Sequence, residues 1–279
     1  CALFGRPGNV AVRIGGLPFT TEQALCRGGM NAVESRIPLV VVGGWGVDAA
    51  MLLPLFDRWP GEIHLISLND ALMSRCDSIT GVADYLLERY PCPSVWAGWS
   101  QGAQVVMAAA SRSCPQVRKA ITLAGFPRFV AGEQWSTGME VDTFETFREQ
   151  VSQNAGLAWR RFQRLLIHGS HDESQARQEL RPWLARGPSV SDVNLVRGLD
   201  WLGSEDQRSL WGALPVPTLH LQASNDVVVE CWEHSFHPSP AAKVVRVTGM
   251  THWPRGQALS RCHDEILQFV FGKEVEWTL

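Results

Sequence analysis

Ser100, Asp226 and His252 are the residues of this sequence whose types and order could do chemistry together. Ser100 is the centre of Gly98-Trp99-Ser100-Gln101-Gly102, where an apolar run ends and a helical pattern of small residues begins. A serine at a sharp strand-to-helix turn is held in a strained backbone conformation, and its neighbours must be small for strand and helix to approach. Ala97, Gly98, Gly102 and Ala103 meet that requirement. The hydroxyl is a poor nucleophile until an imidazole accepts its proton, and the imidazole needs a carboxylate to fix its tautomer and stabilise its charged form. Asp226 stands in the turn Ser224-Asn225-Asp226 and His252 ends Gly249-Met250-Thr251-His252. Each follows a predicted strand, in the chain order Ser, Asp, His. The other histidines fit less well: His64 and His220 fall inside predicted strands, His168 and His171 in a helical insert, His263 in mid-helix, and His234 and His237 follow no clear strand.

A tetrahedral intermediate also needs donors for its oxyanion. The amide of Gln101, directly after the serine, is one candidate, and the amide of Trp45 in Gly43-Gly44-Trp45-Gly46 is the other. That glycine-rich loop lacks the Lys-Ser/Thr of a phosphate-binding loop and the spacing of a dinucleotide fingerprint. No metal-ligand cluster and no cofactor motif is found, so the chemistry expected is metal-free acyl transfer with no cofactor.

The elements that must position these groups are legible from residue 37 onward. Strands are predicted at 38–42, 62–68, 93–97 and 117–123, alternating with helices at 49–59, 79–90 and 101–110. Strands alternating with helices imply a parallel sheet covered on both faces. From 130 to 214 the pattern is almost wholly helical, with stretches at 144–166, 172–184, 190–202 and 205–214, and Ser170-x-x-Glu173 and Ser204-x-x-Gln207 fit the capping box. After Pro215-Val216-Pro217 strands return at 218–223 and 242–247, and a last helix spans 255–271. The expected organisation is an irregular N-terminal extension (1–36), a first core segment (37–129), a helical lid roofing Ser100 (130–214) and a second core segment (215–279).

The chain has 279 residues, 45% of them hydrophobic, enough for one large α/β domain with an insertion. A net charge of -3 gives no global reason to expect nucleic acid or a membrane as partner. No apolar run is long enough to cross a bilayer, and the N-terminus lacks the layout of a secretory signal. Seven scattered cysteines without a Cys-x-x-Cys pair read as reduced thiols of a cytoplasmic protein. Residues 1–29, ahead of the first methionine Met30, are Gly-rich and aperiodic and are expected to be an upstream extension or a loosely packed tail.

Together these residues resemble the α/β-hydrolase superfamily and, within it, the pimeloyl-[acyl-carrier protein] methyl ester esterases of biotin synthesis. The resemblance spans about residues 38–271. Its more specific signals are Gly44-Trp45-Gly46, Gly98-Trp99-Ser100, Arg161-Phe162, Ala176-Arg177-Gln178 with Arg181, and Gly198-Leu199-Asp200 with Asp206-Gln207-Arg208. It implies an α/β-hydrolase fold, a mostly parallel sheet flanked by helices with a helical lid. It further implies a serine carboxylesterase that frees the carboxylate of a methyl-esterified pimeloyl chain on acyl-carrier protein. Arg161, Arg177 and Arg181 match the arginines that dock the acidic carrier, while Leu157 stands where a further one is expected. Arg177 and Arg181 are four apart on one helix face, and a solvated face paired with Glu173 and Glu179 is nearly as good a description. Trp45, Trp99, Phe126 and Phe162 would line an apolar slot for the acyl chain, although plain packing suits these aromatics equally. Two departures stand out: Gly43-Gly44 replaces the usual His-Gly, and the Asp-x-Pro-Gly-x-Gly-x-Ser turn is absent after the 62–68 strand. A broad short-chain esterase, a thioesterase, and a non-catalytic binding protein on the same fold remain alternatives.

Overall fold

A computed structural model describes residues 12–14, 36–232 and 236–272. Among the described residues, seven strands form one sheet in the order β1-β3-β2-β4-β5-β6-β7, with every pairing parallel. They are β1 (Val12–Ile14), β2 (Leu39–Val42), β3 (Ile63–Ile66), β4 (Ser94–Trp99), β5 (Val117–Leu123), β6 (Thr218–Ala223) and β7 (Ala242–Val247). All of β2, β4 and β6 is buried, which explains the near-continuous apolar runs of β2 and β4, whereas β6 alternates Leu219 and Leu221 with the buried polar Thr218, His220 and Gln222. Within 1–36, where an irregular extension is expected, Val12–Ile14 extend the sheet as β1, and most of the remainder lies outside the described residues.

The register decides where the site can be. Val42 pairs with Gly98, so the loop after β2 and the turn after β4 leave the sheet side by side. Ala223 pairs with Val247, so the loops after β6 and β7 leave along the same edge. This is the carboxyl edge of the strands, where open parallel sheets place their ligands.

Helices α1 (Asp70–Met73), α2 (Ile79–Arg89) and α3 (Gln101–Ala110) connect the first half of the sheet, and α9 (Gly256–Phe271) closes the chain. Between β5 and β6 the path passes through α4 (Val141–Gln153), α5 (Ala155–Leu165), α6 (Glu173–Arg186), α7 (Asp192–Ser204) and α8 (Arg208–Gly212). Several local expectations change. The segment Ala49–Phe56 is a 3-10 helix containing Pro54, whose missing N–H disfavours the regular α ladder. The stretch 144–166 is two helices, divided at Asn154, whose carboxamide accepts from Leu157 N and starts α5. Ser170 does not cap α6; Asp172 does, accepting from Gln175 N, while Glu173 reaches back to Gly169 N. Ser204 is the last residue of α7, and Gln207 is the N-cap residue of α8. Where the usual turn is absent after β3, Asn69 caps the short α1.

Tryptophan dominates the interior. Trp59, Trp96, Trp99, Trp159, Trp211, Trp232 and Trp253 are among the largest fully buried side chains. Each except Trp96 spends its indole N–H on a partner, most often a distant backbone carbonyl. They therefore fasten separate segments together besides filling volume.

Candidate active site

Ser100 has φ 54° and ψ -124°, a conformation that L-residues seldom adopt. Its amide donates to Leu123 O at 3.0 Å, and no side-chain bond caps α3, so the hydroxyl is not spent on the helix. The flanking glycines are demanded by backbone contact. A Cβ on Gly98 would stand 2.3 Å from Gly102 O, and one on Gly102 would stand 2.3 Å from Val42 O. Gly44 lies against the serine itself, its Cβ position 3.1 Å from Ser100 Cβ and 3.6 Å from Oγ. The loop after β2 thus reaches the nucleophile directly, even though Gly43 replaces the usual histidine.

His252 Nδ1 and Asp226 Oδ2 are 2.7 Å apart, with both side chains almost wholly buried (1% and 2% exposed). Asp226 Oδ1 accepts from Val228 N at 2.8 Å and Val229 N at 3.0 Å, which fixes the carboxylate plane. A carboxylate can only accept, so the proton of neutral His252 resides on Nδ1, and Nε2 is left as a base. Nε2 is buried and has no hydrogen-bond partner among the described residues. The His252 ring lies 5.7 Å from that of Trp99, whose indole N–H donates to His252 O at 2.7 Å, tying the histidine loop to the residue before Ser100. Ser100 Oγ and Nε2 are not hydrogen-bonded to one another, which is common before a substrate tightens such contacts.

Gln101 opens α3, so no earlier carbonyl of the helix can take its amide. Its side chain donates to Gly198 O at 2.8 Å. Trp45 Nε1 donates to Leu195 O at 2.8 Å, and Trp159 Nε1 donates to Gly46 O at 2.9 Å. These bonds seat α5 and α7 on the loop after β2. Gly198 permits the approach, because a Cβ there would meet Trp45 Cδ1 at 2.7 Å. On the other side, Trp253 N donates to Leu166 O at 2.9 Å, and Asn225 Nδ2 donates to Gly169 O at 3.2 Å. Arg255 pairs with Glu179 of α6 and stacks over Trp253 at 4.3 Å.

The aromatic residues separate into groups. Trp45 meets Phe162 edge-on at 5.2 Å and Phe147 at 5.6 Å, and the two phenylalanines stack at 5.5 Å. Trp99 belongs with His252, whereas Phe126 packs on Phe129 at 5.1 Å, and Phe129 in turn on Phe144. Phe147, Trp159 and Leu195 escape sequence reasoning, although the buried face of α5 carries a helical apolar period that includes Trp159. Arg161, Arg177 and Arg181 are exposed on α5 and α6. Arg177 pairs with Glu173 at 2.7 Å, but Glu179 is taken by Arg255 and not by the helix's own arginines. His234 lies outside the described residues. His64 is in β3, His220 in β6 and His263 in α9, as expected. Among the described residues no helix is long and apolar enough to cross a membrane.

No family model matches the chain. Among curated proteins, it is 31% identical over 204 residues to the pimeloyl-[acyl-carrier protein] methyl ester esterase of Stenotrophomonas maltophilia (strain R551-3), covering 71% of this chain and 78% of that one. The protein of the same name from Vibrio vulnificus (strain YJ016) is 27% identical over 239 residues, covering 83% and 93%. Among solved structures, an esterase from Exiguobacterium antarcticum superposes with a TM-score of 0.70 at 14% identity, covering 84% of this chain and 91% of that one. A bromoperoxidase from Bacillus anthracis gives 0.68 at 17%, covering 84% and 92%. At those identities the structures speak for the fold, and the curated relatives carry the family. The chain is an ester hydrolase with the α/β-hydrolase fold and belongs to the family of pimeloyl-[acyl-carrier protein] methyl ester esterases.

Proposed function

We propose that this protein removes the methyl ester from a pimeloyl chain borne on acyl-carrier protein, using Ser100 as nucleophile, His252 as general base and acid, and Asp226 as its orienting carboxylate. The observation that carries the catalytic part is the buried Asp226–His252 pair, with a free Nε2, beside the strained turn of Ser100. Ser100 Oγ attacks the ester carbonyl as Nε2 takes its proton, and the amides of Gln101 and Trp45 receive the oxyanion. The imidazolium then protonates the departing methoxide, and a water activated by the same ring frees the pimeloyl carboxylate. No cofactor enters the scheme. The names of the curated relatives support the substrate.

In this scheme the acyl chain lies along Trp45, Trp99 and Phe162, with Phe147 as a further wall, while Phe126 packs apart from them on Phe129. Arg161 and Arg181, together with the Glu173-paired Arg177, face the acidic carrier across the outer side of α5 and α6. Residues 130–214 act as the lid over Ser100, and the free thiols of Cys76, Cys114 and Cys262 suit a cytoplasmic enzyme.

The decisive comparison is release of methanol from pimeloyl-carrier methyl ester and from the same ester free in solution. Faster turnover of the carrier-borne ester is expected, and Ser100→Ala should lower kcat by about a thousandfold or more on both. Equal rates on the two esters would remove the carrier from the proposal, and undiminished hydrolysis by Ser100→Ala would remove the nucleophile.

A further inference from the structure

Gln163 sits in α5 with 1% of its surface exposed, and its Nε2 has no hydrogen-bond partner among the described residues. Buried amide donors are nearly always paired, so one that is not, next to a candidate active site, marks a place to look for an acceptor from outside the chain. Its location narrows what that acceptor is. One helical turn before it, Trp159 donates to Gly46 O in the loop beside Ser100. The residue next to it, Phe162, rests on Trp45. Three residues after it, Leu166 O accepts from Trp253 N, the residue that follows His252. Residues 159, 163 and 166 share one face of the helix. That face therefore runs from the loop after β2, which carries Gly46, to the loop that carries His252 and Trp253, with Gln163 between its two anchors. His252, whose Nε2 is likewise buried without a partner among the described residues, adjoins the second anchor, Trp253.

Resting on the ester-hydrolase mechanism proposed above, we infer that Gln163 Nε2 donates a hydrogen bond to the alcohol-side oxygen of the substrate ester and so selects oxygen esters over thioesters. The carbonyl oxygen is committed to the amides of Gln101 and Trp45, so the alkoxy oxygen, to which His252 delivers its proton only as the bond breaks, is the acceptor of the ester open to a further donor. That oxygen gains negative charge as its bond to the acyl carbon breaks, so a donor aimed at it is worth more in the transition state than in the bound ester. Gln163 keeps its proton throughout: the proton that leaves with methanol comes from His252 Nε2. In a thioester the same position is sulfur, a weak acceptor, and the carboxamide gains little there.

The test uses a matched methyl ester and S-methyl thioester of one medium-chain acid, with the full chain, Gln163→Leu and Gln163→Met. The expected result is a fall of about tenfold in kcat/KM on the oxygen ester, against a change of less than about threefold on the thioester. Both variants should melt at or above the parent temperature, because an unpaired buried amide has been replaced by apolar atoms. Met, closest in shape to Gln, decides the matter if Leu disturbs the fold by near-ultraviolet circular dichroism. Equal losses on the two substrates, no loss on either, or a parent enzyme that prefers the thioester would each overturn the inference while leaving the serine hydrolase in place. A parent enzyme that cleaves neither substrate, and matches Ser100→Ala, would overturn the proposed function and the inference with it.

Discussion

Ser100 keeps its positive φ because its surroundings leave no alternative. Its amide is bound to Leu123 O, and Gly98 and Gly102 are pressed against backbone on either side. Gly102→Ala would drive a methyl carbon to within 2.3 Å of Val42 O and 2.5 Å of Gly43 O, where main chain and not a flexible side chain must yield. A loss of about 4 kcal/mol or more is expected, visible as a collapse of the urea midpoint. Retention of parent stability would mean that the turn is not packed as described. Asp226 offers a subtler test. In Asp226→Asn the carboxamide oxygen can still accept from Val228 N and Val229 N, but its N–H faces His252 Nδ1 and pushes the ring proton onto Nε2. The base is then in the wrong tautomer, and kcat should fall by roughly a thousandfold to ten-thousandfold with little change in KM. A decline of less than about tenfold would show that another group orients the imidazole.

Helix α7 shows how much of the site depends on contacts between elements. Its N-terminal turn is held by Asp70 of α1, which accepts from Ser191 N at 3.0 Å, Ser191 Oγ at 2.7 Å and Asn194 Nδ2 at 2.5 Å. Further along, it accepts from Trp45 through Leu195 O and from Gln101 through Gly198 O. The Asn194 bond, then the Ser191 amide, keep the Asp70 carboxyl below its ordinary 3.8. The stabilisation from a lowered carboxylate is complete above its unfolded value and is withdrawn as pH falls through the folded one. Acidification below about pH 4 should therefore loosen α7 from α1, and Asp70→Asn should already be loosened at neutral pH and lose less on acidification. Hydrogen exchange in residues 192–198 checks this, and identical acid profiles for the two proteins would refute it. Little of this network was legible beforehand. Strands, the Ser100 turn and the two loops bearing Asp226 and His252 show themselves through apolar runs and small residues that are local in sequence. Helix α1 is four residues long, too short for any period, and the apolar pattern of 144–166 runs across the break at Asn154 because both helices face the same interior. The closeness of Gly198 to Trp45, or of Gly46 to Trp159, exists only after the chain has folded.

At the scale of the whole molecule, the parallel sheet does two jobs: its carboxyl edge gathers residues 45, 100, 226 and 252, and its middle strands carry polar groups that no mechanism uses. His220 of β6 is one of these. It is fully buried, shares a 2.8 Å hydrogen bond between Nδ1 and Thr122 Oγ1, stacks on Trp211 at 5.0 Å, and its Nε2 has no partner among the described residues. Burial pushes its pKa down to about 3. The folded chain therefore refuses a proton that the unfolded chain accepts at the ordinary value of 6.5. Because the unfolded state binds more protons between those values, stability falls as pH decreases from 6.5, by at most about 1.4 kcal/mol per pH unit from this residue. His263 of α9, also lowered by burial, adds to the same trend, whereas the lowered carboxylates Asp70, Asp206 and Glu173 act only further down, below 3.8 to 4.5. The window from pH 6.5 to 4.5 thus isolates the histidines. Replacing His220 by Phe, with Thr122→Val so that no hydroxyl is stranded, should keep the ring stack with Trp211 and flatten the decline. Urea midpoints of parent and double variant at pH 7.5, 5.5 and 4.5 measure it. The two curves should converge or cross as pH drops, and parallel curves would mean that His220 is protonated inside the fold after all.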